Sequence, residues 1–198
     1  DVSTSRTSES FAFASPIADM THAAEALAGF LRALWGIDAT GGPLCGVQNN
    51  LRGMPLARMN RRVRAAIAVI QDEIDADTAT RAWEAALAAP VWQEPGVWLH
   101  GDLHPGNLLV EKGRLSAVID FGTMGVGDPA ADVMAAWSTL DAEGRGIFRA
   151  GLDVDDATWA RGRGWALYNG LGALASYRDS NPTLSAIARR MITQALAS

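Results

Sequence analysis

The chain has few of the residues that crosslink a protein or anchor it in a membrane. Its 198 residues include a single cysteine, Cys45, which excludes an internal disulfide and a metal site built from several cysteines. No apolar run approaches the roughly 20 residues that span a bilayer, and no basic region followed by an apolar stretch opens the sequence. Lys112 is the only lysine. These absences predict a cytoplasmic protein with no membrane partner.

Negative charge is in excess, with a formal net charge of −5 and a sequence pI of about 5.1. This balance argues against nucleic acid and anionic membranes as partners, and it weakly favours a cationic substrate. An ordinary acidic surface is the open alternative, because many soluble proteins have one. With 48% hydrophobic and 20% charged residues, the chain is predicted to form one globular domain.

The sequence pattern predicts a mainly helical α+β domain over residues 17–198, preceded by a disordered or linker-like tail at 1–16. Helices are predicted at 20–35, 58–74, 78–89, 128–137, 141–150, 156–177 and 182–197. Short apolar runs at 97–99, 108–110 and 115–119 predict strands, the last two joined by a turn at Lys112 and Gly113. Asp19 and Asp77 are the predicted N-caps of the first and third helices.

The segment His100–Gly122, HGDLHPGNLLVEKGRLSAVIDFG, carries the chemistry. Asp102 and Asn107 lie five residues apart, and Asp120 follows an apolar strand thirteen residues later. Phosphoryl transfer needs one group that orients the acceptor hydroxyl and takes its proton, and two oxygen ligands for Mg²⁺. These residues supply that set. An ordinary turn is the alternative, since Asp, Pro, Gly and Asn form turns, but the downstream Asp-Phe-Gly at this spacing favours the catalytic interpretation.

HGDLHPGN followed by IDFG resembles the catalytic and metal motifs of the aminoglycoside phosphotransferase family, which includes choline-kinase-like and other small-molecule kinases. The family is distantly similar to protein kinases, and Gly101, where those usually have Arg, favours the small-molecule branch. The resemblance implies the C-terminal lobe of a protein-kinase-like fold, in which a few short strands carry the catalytic and metal loops.

The same resemblance assigns roles to individual residues. Asp102 would be the catalytic base, and Asn107 and Asp120 would hold Mg²⁺ on the phosphates of ATP or GTP. His100 and Asp132 would brace the catalytic loop. For Asp132, an ordinary surface helix position is the open alternative.

A further set of polar and aromatic residues after the motifs could contact the acceptor. The acidic members could face a polyamine, and the aromatic members could form a wall of the acceptor site. Helix capping and core packing are the open alternatives for them. The set is Glu143, Asp153, Asp155, Trp165 and Tyr168.

No strand series precedes Trp98, and no Val-Ala-Ile-Lys-like stretch supplies a nucleotide lysine. By the resemblance, the N-terminal nucleotide lobe is therefore expected to be absent from this sequence. The expected function is transfer of the γ-phosphoryl of ATP or GTP to a hydroxyl of a small molecule, aminoglycoside-like or other, with no activity expected from this lobe alone.

Two alternatives to a kinase lobe stay open from the sequence. One is a non-catalytic module, derived from such a kinase, that binds a small molecule or a protein. The other is a hydrolase that uses the same carboxylates and metal on a phosphoester. The exposed surface that would face a second lobe could also drive homodimerisation.

Overall fold

The computed structural model describes residues 17–197, so the predicted tail at 1–16 lies outside the described residues. The described part of the chain contains eight α-helices: α1 (Met20–Trp35), α2 (Asn60–Val69), α3 (Ala76–Ala88), α4 (Ala130–Val133), α5 (Ala135–Ser138), α6 (Ala142–Leu152), α7 (Asp156–Tyr177) and α8 (Pro182–Leu196). Its strands are β1 (Val97–Leu99), β2 (Leu108–Glu111), β3 (Arg114–Val118) and β4 (Gly125–Gly127). Short 3₁₀ turns lie at Val47–Asn49, Leu56–Met59 and Pro105–Asn107.

Several helices have an aspartate at the N-cap, because its carboxylate can accept hydrogen bonds from the free backbone amides of the first turn. The prediction for α1 is confirmed: Asp19 accepts from the His22 amide at 2.9 Å. The prediction that Asp77 caps α3 is wrong. That helix begins earlier, because Asp75 accepts from both the amide and the hydroxyl of Thr78, at 2.9 and 2.6 Å.

Two predicted helices are shorter than the sequence pattern indicated. The helix predicted over 58–74 ends at Val69, where the backbone of the fully buried Ile70 leaves the helical conformation. The Glu73 amide then donates to the Ile70 carbonyl at 2.9 Å and turns the chain towards α3. The segment predicted to be helical from Asp128 onward is divided at Met134 into α4 and α5.

Helix α7 lies at the centre of the domain and packs against α2, α3, α4, α5 and α8. Glycines let α4 and the 3₁₀ turn at Leu56–Met59 come close to α7. A Cβ on Gly162 would lie 2.5 Å from Cγ1 of Val133, and one on Gly164 would lie 2.6 Å from Cδ1 of Leu56. Substituents at these positions would displace the packed side chains.

The strands form two small antiparallel pairs. The predicted hairpin is confirmed: β2 pairs with β3, and Lys112 and Gly113 form its turn with φ of 51° and 79°. Strand β1 pairs with β4, Trp98 opposite Val126. Strand β4 was not predicted, because Gly-Val-Gly offers one apolar residue and no alternation.

A buried ion pair joins the segment before α4 to the central helix. Nε and Nη2 of Arg161 contact both carboxylate oxygens of Asp128, at 2.7 and 3.2 Å, and both side chains are buried. Asp128 also accepts from the Ala130 amide at 3.0 Å, at the start of α4. Nη1 of Arg161 donates to the Pro90 carbonyl at 2.6 Å and so also fixes the end of α3.

The predicted fold class is confirmed, since a mainly helical domain carries a few short strands. One continuous apolar core runs from α1 through α8. The candidate catalytic and metal residues stand at strand ends: Asp102 follows β1, Asn107 precedes β2 and Asp120 follows β3. Among residues 17–197, no helix is both long and apolar enough to cross a membrane.

Candidate active site

The candidate catalytic loop, residues 100–107, begins where β1 ends, and Gly101 gives it its direction. Gly101 has φ of 82°, a conformation that residues with a Cβ rarely adopt. A Cβ there would also lie 2.8 Å from the Thr123 carbonyl oxygen. The Thr123 hydroxyl in turn donates to the His100 carbonyl at 2.8 Å. Glycine at this position therefore lets the loop approach the segment after Asp120 and directs Asp102 away from the core.

Asp102 is half-buried between two cationic or potentially cationic side chains. Nη2 of Arg52 lies 3.2 Å from its Oδ1, and Nε2 of His104 lies 3.5 Å from its Oδ2. Burial by itself raises the pKa of Asp102, but the His104 hydrogen bond and the Arg52 charge outweigh it and bring the pKa below its ordinary value. The carboxyl is therefore ionised at neutral pH and can accept a proton.

Asn107 is fixed against the same loop by its amide nitrogen. Nδ2 donates to the Asp102 carbonyl at 2.8 Å and approaches Oδ2 of Asp102 at 3.4 Å. With Nδ2 engaged in this way, Oδ1 of the side chain is left to act as a ligand oxygen. The loop therefore presents a carboxylate and an amide oxygen side by side.

Asp120 joins this pair through a backbone contact between the two loops. The Ile119 amide donates to the Asn107 carbonyl at 3.0 Å, which sets the metal turn beside the catalytic loop. Asp120 itself has φ of 61°, and its exposed Oδ1 accepts from the Gly122 amide at 3.2 Å. Left-handed backbone is uncommon at residues with a Cβ, although Asp adopts it more readily than most.

The oxygen set fits a magnesium ion. A carboxylate and an amide oxygen are hard donors of the kind Mg²⁺ prefers, and the ion keeps several waters and phosphate oxygens as further ligands. Residues 17–197 contain no group of three or more His, Cys, Asp or Glu side chains arranged to hold a metal. A metal held only by protein side chains would need such a group, whereas one shared with a nucleotide does not.

Asp132 and His100 hold the catalytic loop from behind. The buried Asp132 accepts from the amides of His100 and Gly101, at 2.9 and 2.7 Å. Burial raises the pKa of the Asp132 carboxyl, and these two amides oppose the rise. Nδ1 of His100 accepts from the Asp102 amide at 3.2 Å, so Nε2 carries the proton and donates to the Ile119 carbonyl at 2.9 Å. The imidazole thereby bridges the catalytic and metal loops.

An aromatic cluster that the sequence did not indicate lies behind the metal turn. The rings of His100 and Phe121 have centroids 4.9 Å apart, and Phe30 of α1 meets both rings edge-on at 6.4 and 6.3 Å. Such pairs contribute about 0.5–1.5 kcal/mol beyond area burial. In the sequence, only the position of Phe30 on the apolar face of α1 pointed towards this aromatic cluster.

Arg52 is the main site residue that sequence reasoning missed. It belongs to a loop at 41–55, whose Gly-Gly-Pro and Asn-Asn pairs indicate irregular structure and nothing more. The loop docks on the β1–β4 pair through a parallel bridge between Leu44 and Val126. The backbone then takes left-handed conformations at Asn50, Leu51 and Gly53, around Arg52.

The predicted acceptor residues are not brought together. Asp155 caps α7 by accepting from the Thr158 amide at 2.6 Å, Asp153 is the left-handed C-cap of α6, and Glu143 lies in the first turn of α6. Trp165 is fully buried in the core. Tyr168 alone among the five predicted residues lines the cavity beside Asp102 described below.

Comparison with known proteins shows which family the chain matches. A model described as the phosphotransferase enzyme family matches residues 15–192. An aminoglycoside 3'-phosphotransferase of Escherichia coli is 31% identical over 123 residues, which is 59% of this chain and 43% of the relative.

Solved structures share the fold. The GDP and kanamycin complex of APH(2")-IIia superposes with a TM-score of 0.60 and 18% identity, over 90% of this chain and 63% of that one. A macrolide 2'-phosphotransferase type I gives 0.57 and 21%, over 88% and 60%. The sequence thus spans less than two thirds of each of these proteins, and the likeness confirms the predicted kinase-like lobe.

Proposed function

The chain belongs to the phosphotransferase enzyme family, and from that premise we propose that residues 17–198 form the catalytic and acceptor-binding lobe of a small-molecule kinase. The reaction would transfer the γ-phosphoryl of ATP or GTP to a hydroxyl group. The observation that carries the proposal is the contact between Asp102 and Asn107 on one loop, with the Asp120 turn bonded to that loop through Ile119.

Asp102 is the proposed catalytic base. Its ionised carboxylate can orient the acceptor hydroxyl and take its proton as the new bond to phosphorus forms. Burial raises the pKa of Asp102, but the His104 hydrogen bond and the Arg52 charge lower it by more, so the net pKa lies below the ordinary value. A carboxylate with such a pKa is a weak base. Its main contribution is then orientation of the hydroxyl, which suits a reaction that depends on positioning.

Asn107 and Asp120 are the proposed magnesium ligands. Bound there, Mg²⁺ would neutralise the charge that develops on the phosphate oxygens. The Asn107 amide is held by Asp102, so the position of the ligand and that of the base are coupled. His100 and Asp132 keep both loops in place from the core side. The relatives named above are aminoglycoside and macrolide phosphotransferases, which supports a hydroxylated small molecule as the acceptor class.

The test of this function is turnover in the full-length protein. Substitution of Asp102 by Asn keeps the shape of the side chain and removes the acceptor of the proton. We expect phosphoryl transfer to fall by about 10²–10⁴-fold while the protein stays folded, since Asn still offers an oxygen to Arg52. Asp77→Asn is the matched control, because Asp77 is exposed in the first turn of α3. Near-normal turnover in Asp102→Asn would remove Asp102 from the mechanism.

Magnesium-dependent nucleotide binding separates the enzyme from the alternative of a non-catalytic binding module. A kinase lobe requires Mg²⁺ for tight binding of ATP or GTP, and Asp120→Asn should weaken it. A binding module would take up its ligand equally well in EDTA. The intact set of Asp102, Asn107 and Asp120 favours the kinase.

A cytoplasmic location and a homodimer stay predictions that accompany this function. Apolar side chains near the metal turn are exposed: Leu109 at 47%, Phe121 at 43% and Ile119 at 37%. This is the surface through which a dimer would form. Sedimentation of this chain by itself, compared with its Phe121→Ser variant, tests whether it self-associates there.

A further inference from the structure

A cavity of about 660 Å³ lies beside the proposed base, bounded by the segment at 50–52 and by α2 and α7. Arg52 belongs to its wall and pairs with Asp102 at 3.2 Å, so one guanidinium connects the cavity to the carboxylate that would receive the hydroxyl. Its volume is that of ordinary small-molecule sites. Given the proposed function, on which this inference rests, the cavity is the place for the acceptor.

The charge of the cavity wall is positive. Its charged residues are Arg52 and Arg62, and no Asp or Glu is among the residues that line it. The other polar groups are neutral: Asn50, Asn169, Ser176 and two tyrosines. The cavity wall is thus positive although the chain as a whole is negative. The negative net charge alone had favoured a cationic substrate. A polyamine in this cavity would meet two guanidinium groups, one of which already pairs with Asp102.

Two nitrogens of the Arg52 guanidinium group have no hydrogen-bond partner among the described residues. Its Nη2 contacts Asp102 at 3.2 Å, but its buried Nε and Nη1 have no hydrogen-bond partner among residues 17–197. Leaving the donors of a buried charged group unpaired is costly, and an anionic oxygen ligand would relieve that cost. A guanidinium presents its N–H groups in a planar fork that matches carboxylate and phosphate oxygens.

Tyr168 links the two arginines across the cavity. The guanidinium carbon of Arg52 lies 5.9 Å from the centre of its ring, and Nη1 of Arg62 donates to its hydroxyl at 3.2 Å. Arg62 is exposed and Arg52 is not, so the ring separates an outer from an inner cation.

We propose that the acceptor carries an anionic oxygen group, a carboxylate or a phosphate, which Arg62 and Arg52 bind in this cavity while the acceptor hydroxyl points at Asp102. The natural acceptor is then a hydroxy acid or a sugar phosphate. The lack of carboxylates in the wall disfavours polycationic acceptors.

The test compares four probes in the full-length protein with Mg²⁺ and nucleotide: gluconate, glucose 6-phosphate, glucose and kanamycin. We expect at least one anionic probe to bind more tightly than both glucose and kanamycin, measured by calorimetry. Arg62→Gln should weaken that probe by about tenfold or more, the loss expected for one charge-assisted contact. Arg62 is exposed, so this variant should fold, whereas Arg52 is largely buried and pairs with Asp102. Arg58→Gln is the matched control, because Arg58 is exposed and lies outside the cavity wall. Whichever of gluconate and glucose 6-phosphate binds identifies the anion as carboxylate or phosphate.

Preference for glucose or kanamycin, or equal binding of every probe by the wild type and Arg62→Gln, would overturn the inference. The Asp102→Asn variant separates this failure from failure of the proposed function. It should bind the anionic probe at least as tightly as the wild type, because a competing carboxylate is gone, while turnover is lost. Retained turnover in Asp102→Asn refutes the kinase mechanism alone, and a cationic preference refutes the anionic acceptor alone.

Discussion

Replacing Asp132 by Ala tests whether the catalytic loop is held by one buried side chain. The carboxylate is fully buried and accepts from the amides of His100 and Gly101, at 2.9 and 2.7 Å. Alanine would leave both N–H groups without an acceptor in a place that the carboxylate now shields from water. Either the two amides would stay unpaired, which lowers the free energy of unfolding, or the loop would shift until they met other acceptors.

The size of the effect follows from the two lost contacts. Each buried donor left without an acceptor costs about 1–3 kcal/mol, so Asp132→Ala should lower the free energy of unfolding by about 2–6 kcal/mol. A domain of this kind has a total of about 5–15 kcal/mol. Urea denaturation followed by tryptophan fluorescence measures the difference, and Asp132→Asn, which keeps one acceptor oxygen, should lose less.

Hydrogen exchange keeps this prediction testable if the alanine variant is barely stable. In Asp132→Asn, the His100 and Gly101 amides should exchange faster than in the wild type, while amides of α7 should not. A change in unfolding free energy below about 1 kcal/mol for Asp132→Ala, with unaltered exchange at both amides, would refute the reasoning, since the loss expected from even one orphaned donor is larger.

Other substitutions address separate parts of the fold. Arg161→Met breaks the buried pair with Asp128 and should cost about 3–5 kcal/mol of unfolding free energy, with the double variant Arg161→Met/Asp128→Asn less affected. Gly101→Ala should cost at least about 1–2 kcal/mol because of its positive φ, whereas Gly172→Ala, where a Cβ meets nothing within 4 Å, should not destabilise. Asp155→Ala should lower stability by about 1 kcal/mol and Asp155→Asn by less, because Asn also caps helices. Hydrogen bonds from Thr158 lower the pKa of Asp155 in the folded protein. The stabilisation that Asp155 provides is therefore present above the ordinary Asp pKa, and it is lost as the pH falls through the lower pKa of the folded state. Urea titrations, repeated at several pH values for Asp155, measure each of these effects.

Helix positions were largely predictable because their signals are local. The apolar spacing and the Asp19 cap of α1 depend on residues within one or two turns, and the structure bears both out. The errors arose where two local signals competed. Asp75 and Asp77 are both adequate caps, and the choice fell to Asp75 because Thr78 offers it a hydroxyl as well as an amide.

The central position of α7 could not be predicted from its own sequence. Its apolar residues do not gather on one side, a pattern that ordinarily indicates a helix without a clear buried face. The helix is instead surrounded by others, and its glycines mark the contact points: Gly162 against Val133 and Gly164 against Leu56. A glycine in a helix is recognisable as a packing device only after the neighbour is known.

The same division between local and distant contacts runs through the candidate site. The turn that sets Asn107 against Asp102 spans five residues, so HGDLHPGN encodes it almost alone. The groups that decide the charge around Asp102 come from elsewhere: Arg52 is fifty positions away in a loop without a recognisable pattern. A short motif can therefore predict the reaction type, because the reacting groups lie within it. It cannot predict the acceptor, because the cavity beside Asp102 is built by residues whose proximity only the fold creates.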